Sequence, residues 1–364
     1  MYSRPQNDEI EVSLFGPGYG ESVVLHIGSN QWIIVDSCLD PTSQSPVPLN
    51  YLNKIDIKPK DAVKQIVATH WHDDHIRGIA EIFRICECAE FVCSAALQTK
   101  EFLALCTAYG IRPQMNSTGI DEFSEILQIL DKRSSNSNYV VPKFASSDKV
   151  IFKNDFCTIT SLSPSDVSLY CAVTELADLI PKQETRKLRL FSQTPNHLAV
   201  VLWVKIKNHN ILLGSDLEET GKSGTGWSVI VSSTTRPRGK ASLFKIPHHG
   251  SETGDSPSVW TELLENNPVA ILTPFSRHSL PTKKDVSRIL SNTSRGYSTS
   301  PHSHTVPRKK VKVVEKQIKE IVRNYRQVDY SKGHVRLRAH MNKSLSDWSI
   351  DLFDGGVALE NFYN

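Results

Sequence analysis

The sequence predicts an α/β protein organised as a four-layer αββα sandwich, two sheets face to face with helices on their outer sides. Three observations lead there. Short β-rich runs recur along most of the 364 residues, segments with helical spacing are interleaved with them, and polar side chains collect where strands end. The corollary is a functional site on loops at one sheet edge.

The runs Ser22 to Gly28 and Gln31 to Asp36, separated by Ser29-Asn30, read as a β-hairpin whose second strand ends on a carboxylate. Val63 to Ala68 is a short apolar strand that runs straight into Thr69-His70-Trp71-His72-Asp73-Asp74-His75, and Ile76 to Ile85 has helical spacing. The histidines therefore fall on a strand-to-helix loop. Helical patterns follow at 97–109 and 121–132, then strands near 148–152 and 155–162. Residues 163–195 are less regular and carry Lys182, Arg186, Lys187 and Arg189, which suggests an insertion or lid. The strand pattern resumes at His197 to Val204 and pairs through Asn208-His209-Asn210, a turn that would expose His209, with Ile211 to Gly214. Asp216 follows that strand. Ala241 to Pro247 ends on His248-His249-Gly250-Ser251, and Val269 to Phe275 precedes a helix at 283–291. A first domain is thus expected over 1–291. A basic C-terminal extension over 292–364 would pack on it, with a Ser/Thr/Pro/His linker at 292–307, a helix near 312–325 and strands at 334–341 and 348–359.

Composition narrows the class. With 39% hydrophobic and 22% charged residues the chain is globular, and no apolar run approaches the roughly 20 residues of a membrane span. The N-terminus lacks an apolar stretch after a basic start, so an intracellular, cytoplasmic protein without a membrane anchor is expected. Seven cysteines without a CxxC pair argue against a disulfide framework or a zinc ribbon; Cys86, Cys88 and Cys93 read as buried thiols. Net charge is only +3, yet residues 301–340 hold eleven Lys and Arg against three acids. That local excess hints at an acidic partner such as nucleic acid, with a solvated face as the blander reading.

His70, His72, Asp74 and His75 place four metal-ligand side chains within six residues, and imidazole with carboxylate suits zinc, iron or manganese. With Asp216 and His248 the candidate ligands exceed what one tetrahedral ion needs, so two divalent cations are expected, zinc first and manganese as the alternative. Two such ions can hold a shared water as hydroxide. No GxSxG elbow offers a serine nucleophile instead.

The run His70-x-His72-x-Asp74-His75 resembles the HxHxDH signature of the metallo-β-lactamase superfamily, with further elements in family order over roughly residues 10–290. The resemblance implies the metallo-β-lactamase fold. It also implies that Asp36 orients the metal loop, that Asp216 bridges two metals, and that His248 is the last histidine ligand. His249 reads as a residue that supports the ligands or faces substrate, able to protonate a leaving group, although sequence does not separate the two adjacent histidines. Ile246-Pro247-His248-His249-Gly250-Ser251 is similar to the PHHGS element of the branch that includes the hydrolase domain of competence protein ComEC. Two positions depart from that branch: Asn196-His197-Leu198-Ala199 stands where N-x-x-S is usual, and Leu280-Pro281 replaces an HP pair. The third ligand of the first metal therefore stays open, with His197 as one option. Arg277 and His278 are candidate substrate contacts at the same edge.

The fold hosts lactam, thioester, lactone and phosphodiester hydrolysis. The PHHGS-like run implies phosphodiester cleavage of DNA, RNA or nucleotides, and the basic segments agree. The rival expectations are a small-molecule hydrolase of a lactone, thioester or cyclic nucleotide, and an inactive metal-binding scaffold.

Overall fold

The computed structural model describes residues 2–16, 20–100, 102–104, 106, 119–134, 141–179, 196–276, 278–302, 333–343 and 347–364. Sixteen strands among them form two eight-stranded sheets. In chain order they are β1 Glu9–Phe15, β2 Ser22–His26, β3 Trp32–Val35, β4 Val63–Ala68, β5 Glu90–Ser94, β6 Lys143–Ala145, β7 Lys149–Lys153, β8 Cys157–Ser161, β9 Leu202–Ile206, β10 His209–Leu213, β11 Ala241–Lys245, β12 Leu264–Leu272, β13 Gly296–Ser298, β14 His334–His340, β15 Ser349–Phe353 and β16 Val357–Ala358. The first sheet runs β15-β14-β1-β2-β3-β4-β5-β6 and the second β16-β13-β12-β11-β10-β9-β8-β7.

Period-two alternation builds the layers, because successive strand side chains point to opposite faces. Ile33 and Val35 of β3, with Ile211 and Leu213 of β10, meet between the sheets. Trp32 and Ile34 turn outward to pack with residues of helices Val47–Lys54, Ile79–Ile85 and Gly119–Ser134. Leu212, Phe244 and Leu272 do the same on the far side against Trp227, Trp260 and Ile289 from helices Gly226–Ser232, Pro257–Glu262 and Lys283–Asn292. The result is the αββα arrangement.

Each sheet has a run of four parallel strands, β3-β4-β5-β6 in one and β10-β11-β12-β13 in the other. Parallel strands end on the same edge, where loops can gather polar groups. The two carboxyl-terminal edges meet: Val200 donates its backbone N–H to the Thr69 carbonyl, and Ser215 Oγ donates to Thr69 Oγ1 at 2.7 Å.

The segment expected as a C-terminal extension supplies strands to both sheets. β14 lies between β1 and β15, with Val335 and Leu337 in the core between the sheets, while β13 continues the second sheet from within the expected 292–307 linker. Gly296-Tyr297-Ser298 has no apolar alternation to reveal it. Of the expected insertion, Asp166–Leu179 is helical and 180–195, with the four basic residues there, lie outside the described residues, as do 303–332 with the helix expected near 312–325 and most of the basic stretch. His209 is not exposed. It begins β10, is fully buried, donates through Nε2 to the His340 carbonyl at 3.0 Å, and packs its ring edge-on to Trp348. Cys86 and Cys93 are buried core thiols and Cys88 is exposed. Among the described residues, no helix is long and apolar enough to cross a membrane.

Candidate metal centre

β3, β4, β10 and β11 deliver the polar residues. Asp36 follows β3 in the left-handed region at φ 59°, a conformation uncommon for residues other than glycine, and this swings its carboxylate over the next strand end. There Oδ1 accepts the Thr69 backbone N–H and Oδ2 the Thr69 hydroxyl, each at 2.7 Å, while His75 Nδ1 donates to Oδ2 at 2.7 Å. Burial raises the Asp36 pKa, with the His75 hydrogen bond working against it.

These bonds set the imidazole tautomers. Because Thr69 Oγ1 donates to Asp36, it is an acceptor for His70 Nδ1 at 2.9 Å. His249 Nδ1 donates to the Thr273 carbonyl at 3.1 Å. In His70, His75 and His249 alike, Nδ1 is engaged behind the ring and Nε2 faces the site, the usual arrangement when a second partner orients a metal-binding histidine.

At the front, Asp74, His75, Asp216 and His249 bring one ligand atom each to within 4.8 Å of one another. Asp216 Oδ2 lies 3.3 Å from His75 Nε2 and 3.5 Å from His249 Nε2, and Asp74 Oδ2 is 3.3 Å from His249 Nε2. Asp36, His70 and His75 form a second such group, tied together by the bonds above. The Nε2 atoms of His70, His75 and His249 and Asp216 Oδ1 are buried without a hydrogen-bond partner. Buried polar atoms are rarely left so. Convergent, orphaned imidazole and carboxylate atoms are what a divalent cation takes up, and the donor set fits zinc or manganese.

Electrostatics agree. Burial opposes charge on His249, yet Asp216 and Asp74 raise its pKa to about 10; on His75 burial likewise loses to Asp216, Glu21 and Asp36, which lift it well above the ordinary imidazole range. Burial would raise Asp216 and Asp74, but His75 and His249 hold both below the usual carboxylate range. His70 goes the other way: burial first, then His75 and His72, push it well below the usual value, leaving it neutral. Protons on His75 and His249 thus supply positive charge that a cation would replace, so metal uptake must release them.

The structure differs from the expectation at the adjacent histidines. His249, not His248, faces Asp74 and Asp216. His248 turns away to Glu218 Oε1 at 3.1 Å and Thr253 Oγ1 at 2.8 Å. Both residues have left-handed backbones, at φ 46° and 54°, and this tight turn sends neighbouring side chains to different places. His72 sits beside His70, ring centroids 4.6 Å apart, but belongs to neither compact group. His197 is buried and stands 3.8 Å from Glu175 Oε2, also outside both groups. His278 stacks on Phe275, which stacks on His249 at 4.8 Å, so it lies one ring from the cluster. Arg277 lies outside the described residues.

Sequence reasoning missed Glu21 and Lys245. Lys245 is fully buried at the end of β11; its ammonium donates to the Ser215 carbonyl at 2.8 Å, pairs with Glu21, and stands 3.7 Å from Asp216 Oδ1. Glu21 also accepts from Thr273 Oγ1. A lysine closing an otherwise apolar strand was the available signal. Glu21 is reached through Gly20, at φ 99°, where a Cβ would collide with the Asp74 carbonyl; the Glu21 backbone N–H donates to that carbonyl at 2.8 Å.

Two packed α/β layers with a histidine–aspartate cluster at their joint edge define a protein of the metallo-β-lactamase fold. Residues 15–126, which include the HxHxDH run, match the metallo-beta-lactamase superfamily. No curated protein matches. Among solved structures, the chain is similar to a motif mutant of a metallo-beta-lactamase from Cronobacter sakazakii, with 16% identity, 58% of this chain and 63% of that one covered, and a TM-score of 0.34. It is also similar to the metallo-beta-lactamase fold protein YhfI from Bacillus subtilis, with 12% identity, 58% and 64% covered, and a TM-score of 0.31. This chain therefore spans less than two thirds of either structure.

Proposed function

We propose that the protein is a metal-dependent hydrolase acting on phosphodiesters of DNA, RNA or nucleotides. The observation that carries the hydrolase reading is the convergence of Asp74, His75, Asp216 and His249, with His75 Nε2, His249 Nε2 and Asp216 Oδ1 orphaned. His70 and His72 would hold a first divalent cation and Asp74, His75 and His249 a second, with Asp216 between them. Such ions supply Lewis acidity and make water nucleophilic near neutral pH. The chain's own residues do the positioning. Asp36 fixes the His75 ring, Thr69 fixes His70, the Thr273 carbonyl fixes His249, and Lys245 with Glu21 braces Asp216 from behind. His278, stacked through Phe275, borders the approach to the cluster.

The phosphodiester preference is supported by the PHHGS-like run that carries His249 and by the basic stretch 301–340, of whose eleven Lys and Arg two, Arg336 and Arg338, are already paired with Asp351 and Glu11. The test is to incubate zinc- or manganese-loaded protein with single-stranded DNA, duplex DNA, RNA and a bis-phosphate ester reporter. Cleavage abolished by Asp216→Ala is expected. Turnover of a lactone or thioester with no phosphodiester cleavage would replace this reading by the small-molecule one, and no turnover of any would leave a scaffold.

A further inference from the structure

A cavity of about 280 Å³ opens between the end of β1, helix Val47–Lys54 and the start of β14. β1 and β3 are each antiparallel to β2, so Phe15 and Asp36 reach the same edge of the first sheet. The cavity and the metal centre share a wall. Gly16 lines the cavity and abuts the Thr273 side chain, and Thr273 in turn holds His249.

Four aromatic rings line it, together with the charged side chains of Asp40, Lys54 and Asp354. His334 stacks on Phe15 with centroids 4.2 Å apart, Tyr2 lies parallel to it at 5.8 Å, and Tyr51 meets it edge-on at 5.1 Å. A plain core stack would account for the rings but not for the nitrogens: His334 is 2% exposed and neither Nδ1 nor Nε2 has a hydrogen-bond partner. Burial, helped by Arg336 and Lys54, pushes its pKa well below the ordinary value. The ring is therefore neutral and offers one donor and one acceptor.

Two kinds of ligand suit aromatic walls. A quaternary ammonium would seek a ring face and the Asp40 and Asp354 carboxylates, but Lys54 Nζ already sits 3.5 Å over the Tyr2 ring, and such a cation brings no hydrogen bond to His334. A planar nitrogen heterocycle packs against the rims of these rings, whose faces are taken by Lys54, Phe15 and Phe353, and carries donors and acceptors on its edge. The volume is at the small end for ligand pockets, room for one ring system and not for a strand.

We propose that this cavity is a ring-binding subsite that takes a nucleobase beside the metal centre. It deepens the phosphodiester reading and rests on it for the choice of heterocycle. The experiment titrates metal-stripped protein with adenosine, guanosine, cytidine and uridine, and with tetramethylammonium, by calorimetry and ligand-observed NMR. Saturable binding of at least one nucleoside is expected. His334→Phe, which keeps the stack and removes the nitrogens, should weaken it about tenfold, the worth of a good hydrogen bond. Asn50→Trp, at an exposed position on the rim, should block it while leaving the melting temperature unchanged. The subsite is overturned if no nucleoside binds, if both variants bind like the parent, or if tetramethylammonium binds instead. Nucleoside binding without phosphodiester cleavage would keep the subsite and sink the proposed activity; cleavage without nucleoside binding would do the reverse.

Discussion

Replacing Lys245 with Met separates what holds the site together from what binds metal. The methionine keeps most of the volume but removes a cation that is 1% exposed and lies between Glu21 and Asp216. Glu21 is then left with the Thr273 hydroxyl and, at 3.8 and 3.9 Å, the Nδ1 atoms of His75 and His249, and Asp216 with the same two rings. Removing one partner of a buried pair costs about 3–5 kcal/mol, whereas an exposed pair is worth about 0–1 kcal/mol. Urea unfolding of the chelator-treated protein should show a loss in the first range with an unchanged slope. The double variant Glu21→Gln with Lys245→Met should recover part of it, since no unpaired charge remains. Zinc should then stabilise Lys245→Met more than the parent. The variant's site has lost one positive charge, and Asp216 keeps two histidines to orient it, so repulsion relieved outweighs order lost. A loss under about 1 kcal/mol, or a smaller zinc effect than in the parent, would refute the reasoning.

Three further outcomes are expected. Asp36→Ala should lower metal affinity or turnover about 10- to 100-fold through loss of the bond to His75, checked by competition with a chromogenic chelator; an unchanged affinity and rate would remove its positioning role. His249→Ala should abolish retention of one ion per chain by elemental analysis while His248→Ala retains it, and the opposite pattern would restore His248 as the ligand. His26, whose pKa burial chiefly lowers to about 4, binds its proton more readily in the unfolded chain, whose value is near 6.5. Stability should therefore be fully present above pH 6.5 and fall as pH drops toward 4, by about 3 kcal/mol from this residue. His26→Gln should flatten that acid limb in unfolding curves of the metal-free protein, and an unchanged limb would show that the ring protonates freely in the folded state.

The sequence by itself determined the local architecture of the site. Its apolar runs place strand ends at Asp36, Thr69, Asp216 and His248, and the spacing of His70, His72, Asp74 and His75 on a strand-to-helix loop marks the metal loop. Those features are legible because period-two alternation and ligand spacing are properties of a few consecutive residues. What depends on distant segments meeting was decided by the tertiary structure. Two left-handed residues in succession turn His249 inward and His248 out, a backbone choice that adjacent identical side chains do not reveal. Lys245 reads as an edge charge until Glu21, over two hundred residues earlier, is brought to it across the sheets. His209 reads as a turn residue until β14 and Trp348 cover it. β13 is recognisable only by its pairing with β12 and β16, since three residues carry too little pattern of their own and gain their stability from the ladders they join.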